Sequence, residues 1–286
     1  MHGAMGTTAE RDRAFRRLHA SGCFVLPNPW DAGSARYLQH LGFEALATTS
    51  AGAAFAMGLP DSDRAVGRDV MLAHVRTIVD VSDVPVNADF GSGHADTPDG
   101  VAASVRLCVA TGVAGLSIED ATGNDEEPLH PLEVAVARVR AARAAIDEAG
   151  GTVLLTGRTE GFVAGRPDLD DVVRRLVAYA AAGADCLYAP GVTTRAGIAA
   201  IVRAVAPKPV NVLVSGGTGL SVRDLADLGV RRISVGSALA RCAWGGFTRA
   251  ARAIAETGRF EALADGLPYA ELNGFFHDDL ARRRGR

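Results

Sequence analysis

Short apolar or β-branched runs alternate along the chain with longer stretches in which apolar residues recur every three or four positions, the pattern of repeated βα units feeding a parallel sheet. The runs predict strands at 23–26, 45–49, 85–89, 115–119, 153–158, 185–189, 210–214 and 232–235. Between them Val101, Val105, Cys108 and Val109 share one helical face, as do Leu169, Val172, Val173 and Leu176, and again Ile198, Ile201, Val202 and Val205. Boundary residues agree: Thr97-Pro98-Asp99 and Arg166-Pro167-Asp168 open helices, while Gly112, Gly183 and Gly229 close them. Eight consecutive units at regular spacing suit a closed (β/α)₈ TIM barrel better than a doubly wound open sheet. Beyond the last strand, 238–256 reads as a long helix and 260–276 as a shorter one. No Gly/Ser linker interrupts the chain, so 1–286 is expected to be a single barrel domain whose helical tail, about 257–286, serves assembly.

Composition narrows the function. The chain has 286 residues, 48% hydrophobic and 22% charged, with no apolar run near the roughly 20 residues that span a bilayer. The amino terminus lacks an apolar signal core, so a cytoplasmic location and no membrane partner are expected. Cys23, Cys108, Cys186 and Cys242 lie far apart without metal-like spacing and read as small buried hydrophobes. A net charge of −3 without a basic block gives no footprint for nucleic acid. Of the 30 basic residues only Lys208 is lysine, and it precedes a strand. Schiff-base, pyridoxal and P-loop chemistries, which need a lysine at the substrate, are thereby disfavoured.

Barrel active sites lie at the carboxyl ends of the strands, and here those ends are polar. Ser50, Ala51, Gly52 and Asp61 follow the second strand, Asn87 and Asp89 end the third, Glu119 the fourth, and Arg158 with Glu160 the fifth. Carboxylates gathered around one axis repel one another unless a cation or proton sits among them, and sparse oxygen ligands suit Mg²⁺, with Mn²⁺ as the alternative ion. Arg158 can clamp a substrate carboxylate bidentately or serve as an ion-pair partner of Glu160 or Glu119. The Ser50 turn can offer a hydroxyl and amides to an anion. Asn211 reads equally as a substrate contact or a satisfied interior amide. A rival signal is Ser215-Gly216-Gly217-Thr218-Gly219 with Gly236-Ser237, which resembles the phosphate loops many barrels carry after strands seven and eight.

The combination of Asn28-Pro29-Trp30-Asp31-Ala32, Thr48 to Gly52 leading to Gly58-Leu59-Pro60-Asp61, Asn87-Ala88-Asp89-Phe90-Gly91, Ile118-Glu119-Asp120 and Arg158-Thr159-Glu160 resembles the isocitrate lyase/phosphoenolpyruvate mutase superfamily over about residues 20–270. The resemblance implies a barrel whose last helix is exchanged between subunits of a homodimer or homotetramer. It implies a Mg²⁺ ion near Asp89 and Glu119, and a small carboxylate substrate held by Ser50, Ala51, Gly52, Arg158 and Asn211. Asp61, Glu119 and Arg158 are the catalytic candidates.

Departures from the family pattern are specific. Asn87 replaces the first aspartate of the strand-three motif, which implies weaker metal binding and a gain on Asn87→Asp. Residues 121–130 carry neither the lysine nor the cysteine of the loop in the isocitrate-cleaving enzymes, Ser92 stands for the family's tyrosine, and strand six lacks the glutamate of the methylisocitrate enzymes. The resulting expectation is a Mg²⁺-dependent lyase or decarboxylase cleaving C–C in a small 2-oxo or 2-hydroxy (di)carboxylate through a metal-stabilised enolate. A phosphonopyruvate-type P–C mutase or hydrolase and a non-catalytic metabolite-binding barrel are the alternatives.

Overall fold

The structure, a computed structural model, describes residues 7–285. In chain order the elements are α1 (Thr8–Ala20), β1 (Phe24–Leu26), α2 (Ala32–His40), β2 (Leu46–Ala47), α3 (Ser50–Ala56), α4 (Arg68–Asp80), β3 (Val86–Asp89), α5 (Pro98–Val109) and β4 (Gly115–Glu119). They continue with α6 (Leu132–Glu148), β5 (Leu154–Arg158), α7 (Leu169–Ala181), β6 (Cys186–Tyr188), α8 (Arg195–Val205), β7 (Val210–Leu213), α9 (Val222–Asp227) and β8 (Arg232–Ser234). Their contacts form one compact unit through Ser237.

All eight expected strands are present, and all pair in parallel in the order β1-β8-β7-β6-β5-β4-β3-β2, a nearly closed (β/α)₈ barrel. The seam between β1 and β2 is closed differently. Ala47 N–H donates to Pro27 O (3.0 Å), and the Asn28 side chain donates to Thr48 O (2.8 Å) while accepting from the amides of Val235 and Gly236. Asn28 is buried, so these bonds keep its amide satisfied without water.

The helices start where their caps permit. Thr97 accepts from Gly100 N with Pro98 in the first turn, and Asp168 accepts from the amides of Asp170 and Asp171. Their apolar faces lie on the outside of the barrel: Val101, Val105 and Cys108 of α5, Val172 and Leu176 of α7, and Ile198, Ile201 and Val205 of α8 are buried. Each fully buried Val, Leu or Ile here contributes roughly 1.5–3 kcal/mol relative to exposure. Phe15 of α1 is completely buried with Phe24, Ala45, Ala114 and Leu154, and so covers the amino-terminal end of the barrel.

Residues 238–285 form a separate helical unit of α10 (Ala238–Thr257), a 3₁₀ turn (Glu261–Asp265) and α11 (Tyr269–Arg284). Trp244, Phe247, Phe260, Leu267 and Tyr269 are exposed in it. Against the expectation that all four thiols are buried, only Cys108 and Cys186 are: Cys23 is half-buried, and Cys242 is exposed on a face of α10 that the chain leaves uncovered. The last helix runs past residue 276. Apolar periodicity stops there, but Asp279 pairs with Arg283 at 3.0 Å, and Arg282, Arg283 and Arg284 complement the carboxyl-terminal dipole. Among the described residues no helix is long and apolar enough to cross a membrane.

Candidate active site

The inward, alternate residues at the carboxyl ends of β3, β4 and β5 bring Asp89, Glu119 and Arg158 together. Arg158 Nη1 lies 3.1 Å from Asp89 Oδ1 and its Nε 3.2 Å from Glu119 Oε2, and Nε also pairs closely with Glu160. Arg158 Nη2 bonds no protein atom among the described residues. The guanidinium sits 5.1 Å from the centre of the Tyr188 ring, on the neighbouring strand β6, where Tyr188 is register partner to Arg158. Burial keeps that tyrosine protonated, its hydroxyl pushed up to about 12.

Ser50 opens α3 beside this pair, and both its N–H (3.0 Å) and its hydroxyl (3.1 Å) donate to Asp89 Oδ2. Thr49 caps α3 through Gly52 N, so the turn of Ser50, Ala51 and Gly52 is anchored against β3. Asp61 lies on the loop that follows. Although its residue surface is exposed, the protein packed around its carboxyl, and then the charge of Asp89, push it above its ordinary value. Asp63, two residues on, accepts from Ser92 N (3.2 Å) and from the Ser92 hydroxyl. Gly91 allows this approach, since a Cβ there would meet Asp63 Oδ1 at 2.7 Å and its φ is +53°.

The cluster carries more negative charge than its arginine neutralises. Burial pushes Glu119 well above the carboxylate range; Arg158 opposes this, and Glu160, Asp89 and Asp63 reinforce it. Arg138 lies behind, its guanidinium donating to the carbonyls of Ser92, Ala95 and Asp96. An excess of carboxylate oxygens around one axis fits a hard divalent cation held by one or two carboxylates plus water and substrate oxygens. Asp89 and Glu119 are the residues that would hold it. Among the described residues no group of three or more His, Cys, Asp or Glu takes metal-ligand geometry.

Two of the predicted residues lie below the cluster, and for Asn211 the satisfied interior amide is one of the two readings its sequence position allows. Asn87 does not face the acidic cluster: its Oδ1 lies 3.4 Å from Arg232 Nη1 and its Nδ2 donates to Ala88 O, because the inward position two residues before Asp89 falls one layer lower in the barrel. Asn211 occupies that lower interior as well, with Nδ2 donating to Ser234 Oγ (2.9 Å) and Oδ1 accepting from Arg232 Nε (2.9 Å). The loops after β7 and β8 that resemble phosphate loops have some of their donors and their first helical turn already committed. The amides of Val235 and Gly236 are spent on Asn28, and the first turn of the short α9 carries Asp224, which accepts from Ser221 N–H.

Some of the machinery is not obvious in the sequence. Asp120, almost completely buried, accepts from the Thr159 hydroxyl, Glu160 N–H, Arg175 and the Tyr179 hydroxyl, tying the end of β5 to α7. Arg138 and Arg175 share one available signal: each is a charged residue at a core position of an otherwise apolar helix face. Residues 121–130 fold back on themselves, with an Ala121–Leu129 bridge and His130 N–H donating to Asp120 O, and expose Asp125, Glu126 and Glu127.

Residues 15–255 match the family model described as phosphoenolpyruvate phosphomutase. The chain is 32% identical over 243 residues to an oxaloacetate decarboxylase of Paraburkholderia xenovorans (strain LB400), covering 82% of this chain and 77% of that one. The crystal structure of a lyase/mutase candidate from Burkholderia cenocepacia J2315 superposes with a TM-score of 0.89 at 47% identity, covering 94% and 96%. A phosphonopyruvate hydrolase complex with oxalate and Mg²⁺ shares the fold, with a TM-score of 0.83 at 24% identity and coverage of 95% and 96%. By its barrel, the order of its motifs and a family match over most of its length, the chain belongs to the phosphoenolpyruvate phosphomutase family, within the PEP mutase/isocitrate lyase superfamily.

Proposed function

We propose that this protein is a Mg²⁺- or Mn²⁺-dependent lyase or decarboxylase that cleaves a C–C bond in a small 2-oxo or 2-hydroxy dicarboxylate. The observation that carries the reading is the acidic cluster of Asp61, Asp63, Asp89, Glu119 and Glu160 around Arg158, which pairs with three of them. When bound, the ion supplies Lewis-acid polarisation of the substrate's 2-oxygen. Asp89 and Glu119 would supply its carboxylate ligands. Arg158, with Nη2 uncommitted and its guanidinium over the Tyr188 ring, offers a fork to a substrate carboxylate. Ser50, Ala51 and Gly52 line the turn beside it, and Asp61, whose carboxyl is pushed up, can hold a proton at the mouth of the site.

The 121–130 loop favours a short acid. It contains no lysine to offset a third carboxylate, and its exposed Asp125, Glu126 and Glu127 repel one. The oxaloacetate decarboxylase relative supports the same substrate size. The uncovered apolar side chains of residues 238–285, Phe247 at 60% and Tyr269 at 82% exposure among them, support assembly as a homodimer or homotetramer with an exchanged last helix. A cytoplasmic location belongs to the same proposal.

The test is incubation with oxaloacetate and a panel of 2-oxo and 2-hydroxy acids, followed by mass spectrometry with and without EDTA. Metal-dependent turnover of a short dicarboxylate is the expected result. Turnover of phosphonopyruvate alone would replace C–C with P–C chemistry, and Mg²⁺ and oxalate binding without any turnover would make the barrel a binding protein.

A further inference from the structure

One layer beneath the acidic cluster the barrel holds a second arginine in a different setting. Arg232, on β8, is 3% exposed, and among the described residues no carboxylate pairs with it. Its partners are neutral: Asn211 Oδ1 at 2.9 Å, Thr156 Oγ1 at 3.0 Å, His19 Nε2 at 3.3 Å and Asn87 Oδ1 at 3.4 Å. His19 fits as the neutral tautomer that presents a lone pair to the guanidinium. Its Nδ1 lies 2.8 Å from Phe15 O, and burial, then the Arg232 charge, pull the imidazole down to about 3. A buried guanidinium is costly unless it is fully hydrogen-bonded, so a cluster of neutral acceptors at this depth is a built feature.

The strands that Arg232 joins give it a consequence for the site. Asn87 is on β3 and Thr156 on β5, and the next inward residues on those strands are Asp89 and Arg158, roughly 6.6 Å further along. These two form the 3.1 Å ion pair at the centre of the cluster. Gly115 of β4, the strand between them, leaves the room: a Cβ there would meet Asn87 Oδ1 at 2.7 Å and Phe15 at 2.7 Å. We propose that Arg232 is a positioning residue that fixes β3 and β5 beneath the Asp89–Arg158 pair, and that Asn87 is neutral in order to serve Arg232 and not the metal.

The first half of this proposal is read through oxalate affinity and so rests on the metal-dependent reading above; the pairing of Asn87 with Arg232 is read through stability in EDTA and does not. The experiment compares the parent with Asn87→Asp, Arg232→Met, Arg232→Lys and the Asn87→Asp/Arg232→Met double variant. Melting temperature is measured in EDTA and in Mg²⁺, and Mg²⁺ and Mg²⁺-dependent oxalate affinities are measured by calorimetry below the melting range. Asn87→Asp places a carboxylate beside an unpaired buried cation. It is expected to raise the melting temperature by roughly 2–4 °C in EDTA, to lose that gain in the Arg232→Met background, and to bind Mg²⁺ within about threefold of the parent. Arg232→Met, or Arg232→Lys should the former not fold, is expected to weaken oxalate about tenfold or more, because neither side chain can span the two strands.

A tenfold tightening of Mg²⁺ by Asn87→Asp, or a stabilisation that EDTA abolishes, would place Asn87 at the ion and overturn the proposal. So would a folded Arg232 variant that binds oxalate like the parent. Should the parent bind neither Mg²⁺ nor oxalate, the metal-dependent reading falls. The EDTA-insensitive gain and its loss in the double variant then still decide whether Asn87 serves Arg232.

Discussion

Replacing Arg158 with glutamine keeps a polar side chain of similar reach and removes the cation that, among the described residues, pairs with Asp89, Glu119 and Glu160. The side chains of Arg158, Asp89, Glu119 and Glu160 are 18%, 20%, 16% and 8% exposed, so solvent screens the pairs only in part. Breaking a buried ion pair from one side costs about 3–5 kcal/mol. Residual hydration and proton uptake by Glu119 bring the expected loss for Arg158→Gln to the low end, about 3 kcal/mol at pH 8. For a domain of this size that corresponds to a melting temperature lower by roughly 6–12 °C.

The deficit has a pH signature. Glu119 is already held above the ordinary carboxylate range, burial first, and Arg158 is the group that opposes this. Without Arg158 its folded-state value rises further above the unfolded one, so the stability it contributes is complete below the unfolded value and is lost as pH rises through the folded value. The gap between variant and parent therefore widens from pH 5 to pH 8. Differential scanning calorimetry of the metal-free proteins across that range measures it. A loss under about 2 °C at pH 8, or one of equal size at both ends, would show that Arg158 is not the charge that holds this cluster together.

Three further outcomes follow from the same cluster. Asp89→Ala should lose Mg²⁺ binding by calorimetry while keeping its circular dichroism spectrum; affinity unchanged in both Asp89→Ala and Glu119→Ala would sink the assignment of the two ligands. Glu119→Gln removes a carboxylate whose raised value costs stability as pH rises, so in EDTA at pH 8 it should melt above the parent, yet gain nothing from Mg²⁺; a lower melting point than the parent contradicts this sign. Isocitrate and 2-methylisocitrate should be poor substrates beside an oxaloacetate-sized acid, because the 121–130 loop has neither thiol nor lysine, and a kcat/KM for isocitrate on the order of 10⁴ M⁻¹s⁻¹ or more would refute it.

The strand cores were legible because parallel strands covered by helices demand continuous apolar runs, and every predicted run contains its strand, with β4 matching at both ends. The rim was legible in part. Strand-end parity alone places Asp89, Glu119 and Arg158 on one side, but parity says nothing of depth, and Asn87 and Asn211 belong to the lower layer for that reason. Arg232 lies at the start of the predicted run 232–235 without any signal of its role, since a buried guanidinium satisfied only by amides, a hydroxyl and an imidazole leaves no acidic partner to notice in the sequence. The placement of the Arg158 guanidinium over the Tyr188 ring depends on the register of β5 and β6, which a single strand pattern does not encode.

The ring of strands is not uniform around its circumference. Seven joints are ladders of paired residues, whereas the eighth, between β1 and β2, hangs on Ala47 and on the side chain of Asn28. Such a ring has a built-in tear line. This joint with the fewest bonds lies three strands or more from β5, so local opening is expected to begin there and not within the β3–β4–β5 arc. The amide of Asn28, gripping the ends of three strands at once, is in mechanical terms the clasp of the barrel, and because Thr48, which it holds, also accepts from Asp89 N–H, the clasp is tied to the acidic rim as well as to the seam.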